Sequence, residues 1–160
     1  MREVMRATVD FKREAESEET GMSAPEFFVT PGYGVTQLAN MHYHQAVRLG
    51  DRIEISGQGG WDDDWNFPED LEEEIVQAFD NVGRTLATAG ATWRDVVAVD
   101  SYHIPDSPDF IGEVHNRVMV EQFRKHMGDR APIWTEIGVA ALGAPKMRVE
   151  IRVTATVDRG

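Results

Sequence analysis

Cysteine is absent from the 160 residues. That excludes disulfides, thiolate zinc sites, iron–sulfur clusters and a cysteine nucleophile. Positive charge is scarce: 16 Lys and Arg face 28 Asp and Glu, a formal net charge of −12. Nucleic acids and anionic membranes select basic surfaces that displace counterions, so neither is an expected partner. No apolar run approaches the roughly 18 residues of a membrane span. The N-terminal MREVMRATVDFKREAESEETG lacks an apolar signal core. A cytoplasmic location is the expectation. What remains is the composition of a globular chain, 41% hydrophobic and 28% charged. At this length one domain can bury roughly 70% of the surface its unfolded form exposes.

Residues 1–23 mix basic and acidic side chains with few large apolar ones and read as a flexible extension; residues 24–160 read as a single domain. Pro31-Gly32-Tyr33-Gly34 reads as a loop. Met41 to Val47 and Arg52 to Gly57 read as two strands of a hairpin turning at Gly50-Asp51. The stretch from Trp61 to Glu74 holds eight acidic residues and no Lys or Arg, so much of the net charge is local. Leu71, Ile75, Phe79, Val82 and Leu86 then form one apolar stripe of a helix. Val96 to Ile104 reads as a strand, Pro105 to about Gly128 as a turn and second helix, and Ile133 to Leu142 as another strand. Met147, Val149, Ile151, Val153, Ala155 and Val157 alternate without a miss, the clearest strand signal in the chain. The predicted order is β-β-α-β-α-β-β. It suits an α+β sandwich with two helices on one face of one mixed sheet. Apolar residues on the other face would call for self-association.

Four segments in order resemble the Rid family, also called the YjgF or endoribonuclease L-PSP family. They are Tyr43-His44-Gln45-Ala46-Val47, Ile55-Ser56-Gly57-Gln58, the helix with Gln77, Asn81 and Val82 followed by Ala89-Gly90-Ala91 and Asp95-Val96-Val97, and Val139-Ala140-Ala141-Leu142 with Val149-Glu150-Ile151. The resemblance implies a chorismate-mutase-like α+β fold assembled as a homotrimer, with ligand clefts between subunits. It implies hydrolysis of reactive enamines and imines, such as 2-aminoacrylate, to a keto acid and ammonia, without metal or organic cofactor. Active deaminases of the family carry Arg in a Pro-x-Arg-Ser/Thr motif to pair with the substrate carboxylate. Here the segment is Pro132-Ile133-Trp134-Thr135, which puts Trp134 at the Arg position. An indole has one N–H and an apolar face and cannot replace a bidentate guanidinium. Specificity is therefore expected to differ from the family's.

By the same resemblance Glu150 falls where the family has a pocket Glu that positions water, and Tyr43 aligns with a cleft Tyr. Read from the residues alone, Glu150 is equally one charge in an exposed row with Arg148 and Arg152, and Tyr43 is equally a packed ring with a satisfied hydroxyl. Trp134, Glu136 and Gly138 share a strand face. A Glu136/Glu150 pair in one site would push one carboxyl upward and supply an acid and a base; the plainer reading of Glu136 is an ion pair between subunits. Gly59 and Gly60 offer backbone N–H groups to a substrate oxygen. Trp61, Trp65 and Trp134 can form an aromatic wall, or ordinary core. Arg130, two residues before Pro132, is a candidate substitute cation, though a surface Arg is the plainer reading. His42 and His44 would share a strand face, but no third ligand has metal-site spacing. The reading favoured is a Rid-like hydrolase of a small enamine or imine lacking the usual carboxylate handle. The alternative is a trimer that binds a small metabolite without converting it.

Overall fold

A computed structural model describes residues 23–158. The expected extension therefore lies outside the described residues, apart from Ser23. The elements are β1 (Glu26–Phe28), α1 (Tyr33–Met41), β2 (Ala46–Leu49), β3 (Arg52–Ile55), α2 (Leu71–Thr88), a 3-10 turn (Trp93–Asp95), β4 (Val96–His103), α3 (Glu113–Met127), β5 (Ile133–Gly138) and β6 (Val149–Thr156). The strands form one mixed sheet in the order β1-β2-β3-β6-β4-β5, with β4 and β5 parallel and the other pairs antiparallel. No described helix is long and apolar enough to cross a membrane.

The core lies between one sheet face and the helices α2 and α3. Ile75, Phe79, Val82 and Leu86 of the predicted stripe are fully buried, against Ile53, Val96, Val149 and Ile151 of the sheet and Val118 and Met119 of α3. Burying each large apolar side chain contributes about 1.5–3 kcal/mol. Asp70 caps α2 by accepting the Glu73 N–H at 3.0 Å. Phe79 and Trp93 stack at 4.6 Å, and the Trp93 indole donates to the Phe79 carbonyl.

The start of the domain departs from the sequence reading. A strand, β1, precedes the predicted hairpin, and Tyr33–Met41 is a helix rather than loop and strand. Local signals hide this helix because its cap is remote. The Tyr33 N–H donates to the Asp63 carboxylate, thirty residues away. Gly32 has φ +81°, and a Cβ there would collide with that carboxylate. The Tyr33 hydroxyl, fully buried, donates to Gln58 at 2.6 Å. His42 ends α1 in the left-handed conformation, so His42 and His44 do not share a strand face. Two further boundaries move. β5 stops at Gly138, where the Val139 N–H turns to the His103 carbonyl, and α3 begins only after Gly112.

The sheet face turned away from α2 and α3 is largely polar. On it Glu54 accepts from Arg52 at 2.6 Å and from Thr154 at 2.8 Å. Ile133 of the edge strand β5 is 76% exposed.

Candidate functional site

Past the end of β3 the chain keeps pairing with β6. Gln58 and Ile151 exchange both backbone hydrogen bonds at 2.9 Å. This holds Gly57 against Glu150, and a Cβ on Gly57 would overlap the Glu150 carboxylate. The glycine is needed here for close approach, not for an unusual φ. Glu150 lines a cavity of about 210 Å³ with Tyr43, Gln37, Met41, Trp61, Trp65 and Met147. Burial raises its carboxyl above the ordinary value. Burial also raises the Tyr43 phenol, with the negative charge of Glu150 adding to the effect. A half-buried carboxyl shifted in this direction, lining a cavity, is a candidate for proton transfer.

The aromatic wall of this cavity is set by the acidic loop. The Asp62 carboxylate accepts the N–H groups of Asp64 and Asn66 at 2.9 and 2.8 Å. These bonds hold Asp62 below the usual carboxylate range, the Asn66 contacts being the largest cause. The tight turn puts Trp65 at φ +63° and lays it on Trp61 at 4.6 Å. Asn81 of α2 pins the loop from below, donating to the carbonyls of Gly59 and Trp61 at 2.8 and 2.7 Å. Trp61 Nε1 is buried and has no hydrogen-bond partner among the described residues. Glu74, fully buried on α2, takes the Arg148 guanidinium at 2.6 Å and its N–H at 2.7 Å. That pair secures the turn carrying Met147.

The structure separates several predicted site residues from this cavity. Register decides the matter. Glu150 lies opposite Tyr102 of β4, whereas Glu136 lies beside Ser101, its neighbour on the other face. Within one chain the two carboxylates therefore sit on opposite sides of the sheet, and the predicted pair does not form. Trp134 shares the Glu136 face. It meets Phe123 edge-on at 5.2 Å and its indole donates to Ser101 Oγ at 2.8 Å, so it is not part of the aromatic wall. Gly59 is buried beneath Trp61 and Met147, and it is Gly57 that lines the cavity. Arg130 donates to the Arg94 carbonyl, in the 3-10 turn that leads into β4. Glu150 pairs with Tyr102, six residues beyond the first residue of β4, roughly 20 Å along that strand.

Around Glu136 lies a polar network that periodicity did not reveal. The Asn116 amide donates to Glu136 at 2.7 Å, and burial raises that carboxyl. His103 Nε2 is 3.6 Å from Glu136, 2.7 Å from Ser101 Oγ, and its Nδ1 is 2.8 Å from His115 Nδ1. His115 also bonds the Ile104 backbone. Between the two Nδ1 atoms one imidazole donates and the other accepts. Ser101 Oγ meets His103 Nε2 and accepts from the Trp134 indole. Burial lowers the pKa of both imidazoles, taking His103 to about 3.

The cavity residues absent from the prediction are Gln37, Met41, Gly57, Gly143, Ala144 and Met147. Gln37 and Met41 are one helical turn apart, a spacing legible only once α1 is seen.

Comparison with known proteins agrees with this architecture. The pattern of the family described as endoribonuclease L-PSP matches residues 35–157. RutC family protein YjgH of Escherichia coli K12 is 32% identical over 119 residues, covering 74% of this chain and 86% of the relative. A 2-iminobutanoate/2-iminopropanoate deaminase of Dermatophagoides farinae is 34% identical over 119 residues, covering 72% and 86%. A solved structure of protein YjgH superimposes with a TM-score of 0.69 at 29% identity, covering 87% of this chain and 98% of its own. A sheet and helices of this order, a family pattern spanning most of the domain and a relative at 32% identity together place the chain in the endoribonuclease L-PSP, or YjgF/Rid, family.

Proposed function

We propose that this protein hydrolyses a small enamine or imine to a carbonyl compound and ammonia in the Glu150 cavity. The observation that carries the reading is Glu150 itself: a half-buried carboxyl with a raised pKa, laid over Gly57 and facing Tyr43 across an aromatic-walled cavity. The similarity to the Dermatophagoides farinae imine deaminase supports it. In this scheme the carboxylate takes a proton from water as the water oxygen bonds to the imine carbon. The nitrogen takes up a proton, giving a carbinolamine. The carboxylic acid formed in the first step returns its proton to the amine nitrogen, the C–N bond breaks with loss of ammonia, and the hydroxyl proton passes to water as the carbonyl forms. An enamine first gains a proton at carbon to become the imine. Water provides the oxygen and no redox partner is needed.

Trp134 stands where the resemblance expects an Arg and turns toward α3. β5 thus supplies no cation to the Glu150 cavity of its own chain, and specificity departs from that of Arg-bearing relatives. The same reading carries assembly as a homotrimer in the cytoplasm. The family's ribonuclease label is not the reading we favour, given the net charge of −12.

A second reading, a trimer that binds a metabolite without converting it, draws on the separation of Glu136 from Glu150, which leaves one carboxylate in the cavity. Ammonia release from enzymatically generated 2-aminoacrylate and bulkier imines separates the two. The expected result is acceleration by the native protein and a loss of about 100-fold or more in Glu150→Gln, the usual scale of a lost general base, with the oligomer unchanged by light scattering. Equal turnover by Glu150→Gln would remove Glu150 from the mechanism. No acceleration, with a ligand recovered unchanged, would establish the binding reading.

A further inference from the structure

Residues 35–44 leave the body of the domain between two buried anchors. Tyr33 is fully buried, its hydroxyl on Gln58. Gln45 is 1% exposed; its Oε1 accepts the Thr30 N–H at 3.0 Å, and its own N–H donates to the Phe28 carbonyl at 3.1 Å. The two ends touch, since a Cβ on Gly34 would collide with the Gln45 side-chain oxygen. The chain thus departs and returns at one point, the form of an Ω-loop, here filled by α1.

Between the anchors little holds this segment. In α1 only Tyr33 and Gly34 are buried, and Val35 and Met41 are 60% and 67% exposed. Among the described residues, no hydrogen bond joins 35–44 to a residue outside 32–45. His44 leans on Phe27, itself exposed. Positive φ at Gly32 and His42 brackets the helix. Yet Gln37, Met41 and Tyr43 form one wall of the Glu150 cavity. The facing wall is fixed: Asn81 holds the loop of Trp61, and Glu74 holds the turn of Met147.

We propose that residues 35–44 are a lid on the Glu150 cavity. It swings on the Gly34–Gln45 clasp, opening to admit a ligand and closing to set Gln37 and Tyr43 beside it. The Tyr43 hydroxyl donates to Gln37 at 3.4 Å within the segment, so the two move together. Opening breaks no hydrogen bond to the rest of the domain and exposes little apolar surface, the conditions for local motion without global unfolding. Only the nature of the ligand rests on the imine-hydrolase reading.

The probe is 2-oxobutanoate, the product that hydrolysis of 2-iminobutanoate would give. Hydrogen exchange of the full chain, read by mass spectrometry, should show 35–44 exchanging about 100-fold or more faster than α2. Urea below the unfolding transition should leave that rate unchanged, and 2-oxobutanoate should slow it. Ala39→Gly, at an exposed position of α1 outside the cavity, should speed it about fivefold. Association and dissociation of 2-oxobutanoate, followed by tryptophan fluorescence, should then both quicken by about that factor, with affinity within about twofold. Exchange of 35–44 only with global unfolding, or no slowing by 2-oxobutanoate, would overturn the lid. So would faster exchange in Ala39→Gly with both binding rates unchanged, which is fraying without gating. Gated binding without imine turnover would sink the hydrolase reading and leave the lid standing. Imine turnover with 35–44 as protected as α2 would do the reverse.

Discussion

Replacing His103 with Gln should flatten the acid side of the protein's stability curve. His103 is fully buried between Ser101 and His115, and burial lowers its pKa from 6.5 to about 3, with His115 adding a smaller effect. The sign follows from proton uptake. Between pH 6.5 and 3 the unfolded imidazole binds a proton that the folded one excludes, so stability falls as pH falls through this window. Two pH units below 6.5, at pH 4.5, the loss amounts to about 3 kcal/mol. That is a large share of a typical domain stability of roughly 5–15 kcal/mol. Gln cannot take up this proton. It leaves His115 or Ser101 short of a partner, so His103→Gln starts lower at pH 7.5 by about 1–3 kcal/mol. The gap should then close, or reverse, by pH 4.5. Urea unfolding at four pH values between 7.5 and 4.5, followed by tryptophan fluorescence, measures it. Titrating groups remote from the site are common to both proteins and cancel in the difference, and His115→Gln measured alongside gives the part that comes from its contact with His103. A gap constant within about 0.5 kcal/mol across the range, well under the worked change, would refute the assignment of His103 as a buried neutral base.

Other substitutions probe separate parts of the argument. Gly57→Ala should displace the Glu150 carboxylate and lower turnover by about tenfold or more while the fold persists, read by kcat and circular dichroism. Glu74→Gln removes the partner of Arg148 from a fully buried site and should cost about 3–5 kcal/mol in urea unfolding. Trp134→Arg should not create a carboxylate clamp in the Glu150 cavity. It should lose the contacts with Phe123 and Ser101 and destabilise by roughly 2–4 kcal/mol, with no gain in affinity for an imino acid. Turnover, if Glu150 acts as a base, should fall with decreasing pH along a limb lying above the ordinary carboxyl range, and Glu150→Gln should abolish that limb.

The apolar stripe of α2 and the unbroken alternation of β6 were legible because each element's burial is written in its own periodicity. Alternation also put Glu150 and Arg152 together on the face opposite Val149 and Ile151, as the sheet has them. Local spacing could not say which face β5 would present. That was decided by its parallel register with β4, which pairs Glu136 with Ser101 and sends Trp134 toward the helices. Nor could it disclose α1, whose first N–H is capped by a carboxylate thirty residues away. The cleft itself draws on α1, the acidic loop, the turn before β6 and β6 itself, with no common spacing among them. The sequence alone thus determined the elements whose stability comes from their own repeat, the acidic balance and the family. Tertiary structure alone decided which side chains share a face and a cavity, because register and remote caps are relations between segments far apart in the chain.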